Sequence, residues 1–130
     1  MGRIQETFLH LEKLKKKALV GYIVSGDPDV SSTLNAMQLM VKGGVHVIEL
    51  GIAFSDPMAE GPSIQQGHER ALKNKISLQD TLSLVKSFRE EDDKTPIVLM
   101  GYMNTFEALG SKVFSSTAKE NGVDGILIVD

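Results

Sequence analysis

Four short aliphatic runs recur along the chain, beginning near residues 18, 45, 97 and 125, and helical sequence separates each run from the next. Runs of this length that are rich in valine and isoleucine, with turn residues on either side, are typical of strands buried on both faces. Strands that alternate with helices pair in parallel. The sequence therefore predicts an α/β fold with a parallel sheet, formed by residues 1–130 as one domain. Periodicity alone leaves an open doubly wound sheet and a closed barrel as alternatives.

The segments between these runs carry the signals of helix ends. Apolar residues at helical spacing from Ile4 to Leu14 predict a first amphipathic helix. Ser31 or Ser32 is expected to cap the second helix, and Gly43-Gly44 to end it. The remaining signals are Pro62 at the start of a short helix, Ser77 with Asp80 as a capping pair, a loop at residues 101–104, and Asn121-Gly122 after the last helix.

The composition excludes several classes of protein. The chain is 42% hydrophobic and 24% charged, which is ordinary for a globular domain. Its net charge of -3 argues against a nucleic-acid or anionic-membrane surface. The sequence has no cysteine for disulfides or thiolate metal sites, no GxGxxG after the first strand and no Walker-type phosphate loop. A reducing cytosol is compatible with this composition, so we expect a cytoplasmic protein without a metal site.

Glu49 interrupts the second aliphatic run, between Ile48 and Leu50. An ionised carboxylate is costly to remove from water without a partner, so some use must offset that cost. The loop that follows carries Asp56 and Glu60, and Glu49 and Glu60 are placed to face one site. The alternative is that Glu49 pairs with a lysine or arginine elsewhere while the loop acids are solvated. The residues alone favour neither reading.

Residues 49–65, ELGIAFSDPMAEGPSIQ, closely resemble the signature of the tryptophan synthase α chain family. Supporting matches are Gly26-Asp27-Pro28, Pro96-Ile97 leading to Tyr102 and Asn104, and Gly122-Val123-Asp124-Gly125 before Asp130. The resemblance implies a (β/α)8 TIM barrel, which takes about 250 residues. This chain would cover the N-terminal half of it, from the first helix through strand 4.

A half barrel has two unpaired strand edges, and unpaired edges invite association. We therefore expect the 130-residue piece to dimerise, aggregate or pack loosely when it is alone. The resemblance also places the phosphate-binding loops in the later strands of the barrel. The piece alone is thus expected to be inactive.

The resemblance implies a carbon–carbon lyase of tryptophan biosynthesis, which cleaves indole-3-glycerol phosphate to indole and glyceraldehyde 3-phosphate. It assigns general acid and base catalysis to Glu49. It gives Glu60, where the family usually has Asp, the hydrogen bond to the indole nitrogen, and the added methylene moves that carboxylate by on the order of an ångström. The indole pocket that it implies is formed by strand residues, for which ordinary barrel core is the alternative: Tyr22, Met100, Leu127 and Val129.

The resemblance further implies a partner. The family works as an α2β2 heterotetramer with a β subunit that holds pyridoxal phosphate, so no cofactor is expected in this chain. The resemblance assigns the contact with the β subunit to Asp56, Pro57 and Asn104. One alternative is an inactive half-barrel or docking module that binds the β subunit without catalysis. Another is a different barrel enzyme for a phosphorylated indole or ribose precursor, and the length of the match weighs against it.

The three histidines receive no catalytic role from the sequence. His46 is expected to point to the face opposite Glu49, because strand side chains alternate. His10 and His68 fall in predicted helices and are expected to be solvated. His68-Glu69 is not followed by the second histidine of a zinc-protease motif.

Overall fold

The computed structural model describes residues 1–55 and 60–129, and over these residues the strands form one parallel sheet in the order β1-β2-β3-β4. The predicted parallel α/β fold is therefore confirmed. The elements in chain order are α1 (Arg3–Lys13), β1 (Val20–Val24), α2 (Val30–Lys42), β2 (Val47–Gly51), α3 (Pro62–Lys73), α4 (Leu78–Arg89), β3 (Ile97–Tyr102), α5 (Met103–Glu107), α6 (Ser111–Glu120) and β4 (Gly125–Val129).

Local sequence accounts for most of the helix ends. Ser77 and Asp80 form the reciprocal capping box expected at the start of α4. The predicted cap of α2 is wrong by two residues or more, because Asp29 occupies the capping position and its carboxylate accepts a hydrogen bond from the Ser32 N–H at 2.7 Å. An aspartate caps a helix as well as a serine does, and this one stands earlier in the chain.

The loop predicted at residues 101–104 is also wrong. Strand β3 continues to Tyr102, and the short helix α5 begins at the next residue. Phe106 explains this helix, because its buried ring packs edge-on against Phe114 of α6 with the ring centroids 4.9 Å apart. A tertiary contact of this kind leaves no local signal in the sequence.

The two faces of the sheet differ in what covers them. Ile48, Leu50, Ile97 and Leu99 are fully buried on the face that carries the helices. Their partners are Met37 of α2, Leu82, Val85 and Phe88 of α4, and Phe114 and Ala118 of α6. This apolar layer is the hydrophobic core. The opposite face carries Glu49, so the core does not have to accommodate a carboxylate.

A cluster of charged groups ties the amino ends of β3 and β4 to α1 and α4. The Asp124 carboxylate accepts hydrogen bonds from Arg89 Nη2 at 2.8 Å, from the Ile97 N–H at 2.9 Å and from Arg3 Nη1 at 3.0 Å. Arg89 also donates to the backbone carbonyls of Gly122 and Thr95. Buried charges are tolerated when they are paired in this way.

Replacement of Asp124 tests whether this cluster stabilises the sheet. Asp124→Asn removes the negative charge that faces two guanidinium groups, and we expect it to lower the free energy of unfolding by about 2 kcal/mol. The control is Arg70→Gln, which breaks an ion pair whose arginine side chain is 51% exposed. It should cost clearly less than Asp124→Asn, because exposed ion pairs contribute little to stability. Equal urea midpoints for the two variants would contradict the structural role of Asp124.

Candidate active site at the carboxyl ends of the strands

The strand register places the predicted site residues on one face of the sheet. Tyr22 of β1 is level with Glu49 of β2, and Gly51 of β2 is level with Met100 of β3 and, through it, with Leu127 of β4. Val129 is level with Tyr102. Because neighbouring strands keep their side chains in step, Tyr22, Glu49, Met100, Leu127 and Val129 all lie on the face opposite the core. The register thus shows that these five residues share one face of the sheet, and the pocket that they would form stays a prediction.

Glu60 reaches this face from the loop that precedes α3. Its Oε1 accepts a hydrogen bond from the Tyr22 hydroxyl at 2.8 Å, and its Oε2 accepts a longer one from the Tyr102 hydroxyl at 3.4 Å. The side chain of Glu60 is only 4% exposed. Tyr22 therefore lies level with Glu49 in the sheet and donates the hydrogen bond from its hydroxyl to Glu60.

Gly51 makes room for this arrangement. The Tyr22 ring lies across the Cα of Gly51, and a Cβ at that position would overlap the Tyr22 hydroxyl and the ring carbon that bears it. The glycine is needed for close approach of a neighbouring side chain. Any larger residue at position 51 would displace the hydroxyl from Glu60.

His68 is buried, so the prediction that it is solvated is wrong. It is 1% exposed, and its Nε2 lies 2.9 Å from Glu60 Oε2. Its other ring nitrogen, Nδ1, accepts a hydrogen bond from the Phe54 N–H at 2.8 Å. One face of α3 packs against the sheet, and position 68 falls on that face beside Gly67 and Ala71, which are also buried. The helical spacing of these residues was the signal available in the sequence.

His10 is exposed on α1, as expected. His46 precedes β2, and its Nδ1 accepts a hydrogen bond from the Leu19 N–H at 2.9 Å. Asn104, predicted at the partner surface, is exposed on α5, whereas Asp56 and Pro57 lie outside the described residues.

The electrostatics distinguish the acid at position 49 from a surface carboxylate. Burial, and then the charge of Glu60, raise the pKa of Glu49 above its ordinary value of 4.5. Burial and the hydrogen bond to Glu60 raise the pKa of Tyr22, so its hydroxyl keeps its proton and remains a donor. Within residues 1–55 and 60–129, Arg3 and Arg89 both form ion pairs with Asp124, and Arg70 forms one with Asp27. None of these ion pairs includes Glu49. Those residues therefore do not bear out the alternative of an ion pair for Glu49.

The described residues offer neither a metal site nor a membrane-spanning helix. No group of three or more histidine, aspartate or glutamate side chains in the described part of the chain is arranged to hold a metal ion. No helix in that part is long and apolar enough to cross a membrane.

Comparison with known proteins identifies the family. The sequence model for the tryptophan synthase alpha chain matches residues 8–130. The chain belongs to this family. A tryptophan synthase alpha chain of Paraburkholderia phymatum is 54% identical over all 130 residues, and one of Nitrosomonas europaea is 51% identical. The chain spans about half the length of these relatives, 48% and 47% respectively.

Solved structures of the family share the fold. The crystal structure of tryptophan synthase subunit alpha from Legionella pneumophila superposes with a TM-score of 0.98 at 48% identity, over 100% of this chain and 50% of that one. A chain from a study of the tryptophan synthase α2β2 complex of Pyrococcus furiosus superposes with a TM-score of 0.81 at 49% identity, over 87% of this chain and 45% of that one. The described residues thus have the fold of the N-terminal half of a tryptophan synthase α chain (β/α)8 barrel.

The raised pKa of Glu49 predicts how stability depends on pH. The folded chain holds this proton more tightly than the unfolded chain, so ionisation of Glu49 opposes folding as the pH rises through the folded-state pKa. Glu49→Gln removes that cost. We expect the variant to be more stable than the parent at neutral pH, and the difference to disappear below pH 4.5, where Glu49 is protonated in both states.

Urea unfolding at several pH values measures this effect. Glu69→Gln is the matched control, because Glu69 is exposed on α3 and its replacement should leave the stability profile unchanged. A Glu49→Gln chain that is less stable than the parent at neutral pH would contradict the desolvated carboxyl described above.

Proposed function

We propose that the chain supplies the acid–base residues of a tryptophan synthase α subunit, which cleaves indole-3-glycerol phosphate to indole and glyceraldehyde 3-phosphate. The observation that carries this proposal is the pair of acids at the carboxyl ends of the strands, Glu49 on β2 and Glu60 on the following loop, with Tyr22 level with the first and hydrogen-bonded to the second. In a barrel of this kind the reacting groups lie at that end.

The reaction needs two proton transfers and one hydrogen bond, which two carboxyl groups can supply. The protonated Glu49 gives its proton to the indole carbon that bears the glycerol side chain, and positive charge develops on the ring nitrogen. Glu60 accepts a hydrogen bond from that N–H and stabilises the charge. The Glu49 carboxylate then takes the proton of the adjacent glycerol hydroxyl, the carbon–carbon bond breaks, and its electron pair returns to the ring.

The pKa of Glu49 suits both steps. A general acid is most effective when its pKa lies near the working pH, and burial moves this carboxyl in that direction. Glu60 has a different task, and its Oε1 is held by the hydrogen bond from the Tyr22 hydroxyl. The two acids therefore differ in their surroundings.

The indole ring would lie on the apolar part of the same face. Met100, Leu127 and Val129 lie on the same face of the sheet as Glu49. They supply apolar side chains of the kind that line small-molecule sites. The phosphate would be held by the later strands of the barrel.

The proposed partner is a β subunit that holds pyridoxal phosphate and receives the indole. Support comes from the Pyrococcus furiosus relative, which was studied as an α2β2 complex. Asn104 is exposed on α5, directly after the strand end that carries Tyr102. A partner seated there would lie next to the site that releases indole.

Activity is tested in a complete barrel, in which residues 1–130 are followed by the remaining half of the Paraburkholderia phymatum relative. This protein is called the fused barrel below. We expect it to release indole from indole-3-glycerol phosphate, and Glu49→Gln to lower kcat by about 10²- to 10⁴-fold, the usual contribution of general acid–base catalysis.

A second variant and a control accompany that assay. Glu60→Gln should also lower kcat. Glu69→Gln is the control, because Glu69 lies on the exposed side of α3, and it should leave kcat unchanged. Unaltered indole release by the Glu49→Gln fused barrel would refute the assignment of Glu49.

The partner surface is tested by binding of the β subunit. Asn104→Arg places a long charged side chain on α5, and we expect it to weaken binding to the fused barrel about tenfold. Asn35→Arg is the matched control, since Asn35 is exposed on α2, away from the strand ends. Equal effects of the two substitutions in a titration of the β subunit would remove Asn104 from the interface.

A further inference from the structure

The Glu60 carboxylate is contacted from three separate elements. Tyr22 approaches from β1, Tyr102 from β3 and His68 from α3. The family resemblance gives roles to Glu49 and Glu60 and none to His68. A histidine that is 1% exposed and lies 2.9 Å from a proposed catalytic carboxylate needs an explanation of its own.

The hydrogen bond from Phe54 fixes the state of the His68 ring. Because Nδ1 accepts the Phe54 N–H, it carries no proton, and the proton of the neutral ring must be on Nε2. Nε2 is the atom that faces Glu60. The contact is close but not well aligned, since the ring N–H does not meet the angle of a hydrogen bond with any described atom.

Helix α3 is anchored so that His68 keeps this position. Arg70 donates to both carboxylate oxygens of Asp27, at 2.6 and 2.9 Å. The same carboxylate lies against Gly67, where an added Cβ would come within 2.9 Å of it. The backbone on either side of His68 is therefore held against the loop after β1, and Phe54 holds the ring itself. A rigid support of this kind is what precise placement of a reacting group requires.

We propose that His68 is a positioning residue that directs its Nε2–H to the Glu60 carboxylate and holds it in place for the indole nitrogen. This inference rests on the proposed function. Glu60 is one methylene longer than the Asp usual in the family, and His68 and Tyr22 receive the carboxylate at that longer reach. Glu60 and His68 thus form a matched pair, in which the longer acid depends on the buried ring.

A purely structural role makes different predictions. If His68 only fills space between α3 and the sheet, its replacement lowers the stability of the protein. Any loss of activity is then the same with Glu or with Asp at position 60. A positioning role predicts coupling between residues 60 and 68, which a double-mutant cycle measures. It also predicts that a side chain able to donate a hydrogen bond from the same place restores activity.

The cycle is measured in the fused barrel, with kcat and KM for release of indole. His68→Leu should lower kcat about ten- to a hundredfold with a smaller change in KM. His68→Gln retains an N–H donor and should recover most of the rate. In the Glu60→Asp background, where the shorter acid no longer reaches residue 68, His68→Leu should have little effect. His46→Leu is the control for loss of a half-buried histidine, since His46 bonds only the distant Leu19 N–H among the described contacts.

A measurement that is independent of activity completes the test. The ¹⁵N shifts of the His68 ring in the fused barrel should show the proton on Nε2, and Glu60→Gln should shift the Nε2 signal while that of exposed His10 stays in place. If the unmodified fused barrel releases no indole, the proposed function fails, and the ring shifts still decide the placement of His68. A proton on Nδ1, or an equal loss of kcat from His68→Leu in both backgrounds without rescue by glutamine, overturns the inference.

Discussion

A carboxyl group in an otherwise apolar strand, two residues before the strand ends, is the constraint on which the rest of the structure depends. Glu49 lies between Val47 and Gly51 on one face of β2, where solvent is partly excluded and a second acid stands nearby, and both effects raise its pKa. Such a group opposes folding when it is ionised. The chain accommodates it by placing the main hydrophobic cluster of the described residues on the other face, where Ile48 and Leu50 are fully buried.

The two ends of the sheet carry different clusters of polar groups. At the amino ends, Asp124 joins two arginines and a strand N–H, so that β3 and β4 are fixed where no chemistry takes place. At the carboxyl ends, the polar groups are arranged around Glu60 instead. The first cluster holds the fold, and the second presents acids at the position where parallel strands of a barrel carry their reactive residues.

The strands and the candidate acids were predictable from the sequence, whereas the packing around the acids was not. Valine-rich runs and the residue 49–65 signature are local patterns, and they predicted the parallel sheet and placed Glu49 and Glu60 at one end of it. His68 has no such local signal for its partner, because its contacts come from residues 8 and 14 positions earlier in the chain. The predictions of a loop at residues 101–104 and of a serine cap on α2 failed for related reasons. The contact of Phe106 with Phe114 of another helix stabilises α5, and Asp29 takes the capping position in place of the serines.

The central claim is that a desolvated Glu49 carboxyl faces a second acid at the carboxyl ends of the strands. The most direct measurement is an NMR titration of the Glu49 side-chain carboxyl carbon, with coupling to Glu60 tested by repeating it in a Glu60→Gln protein. The midpoint should lie above 4.5 and should fall when Glu60 loses its charge. A midpoint at or below 4.5 that Glu60→Gln leaves unchanged would contradict the claim.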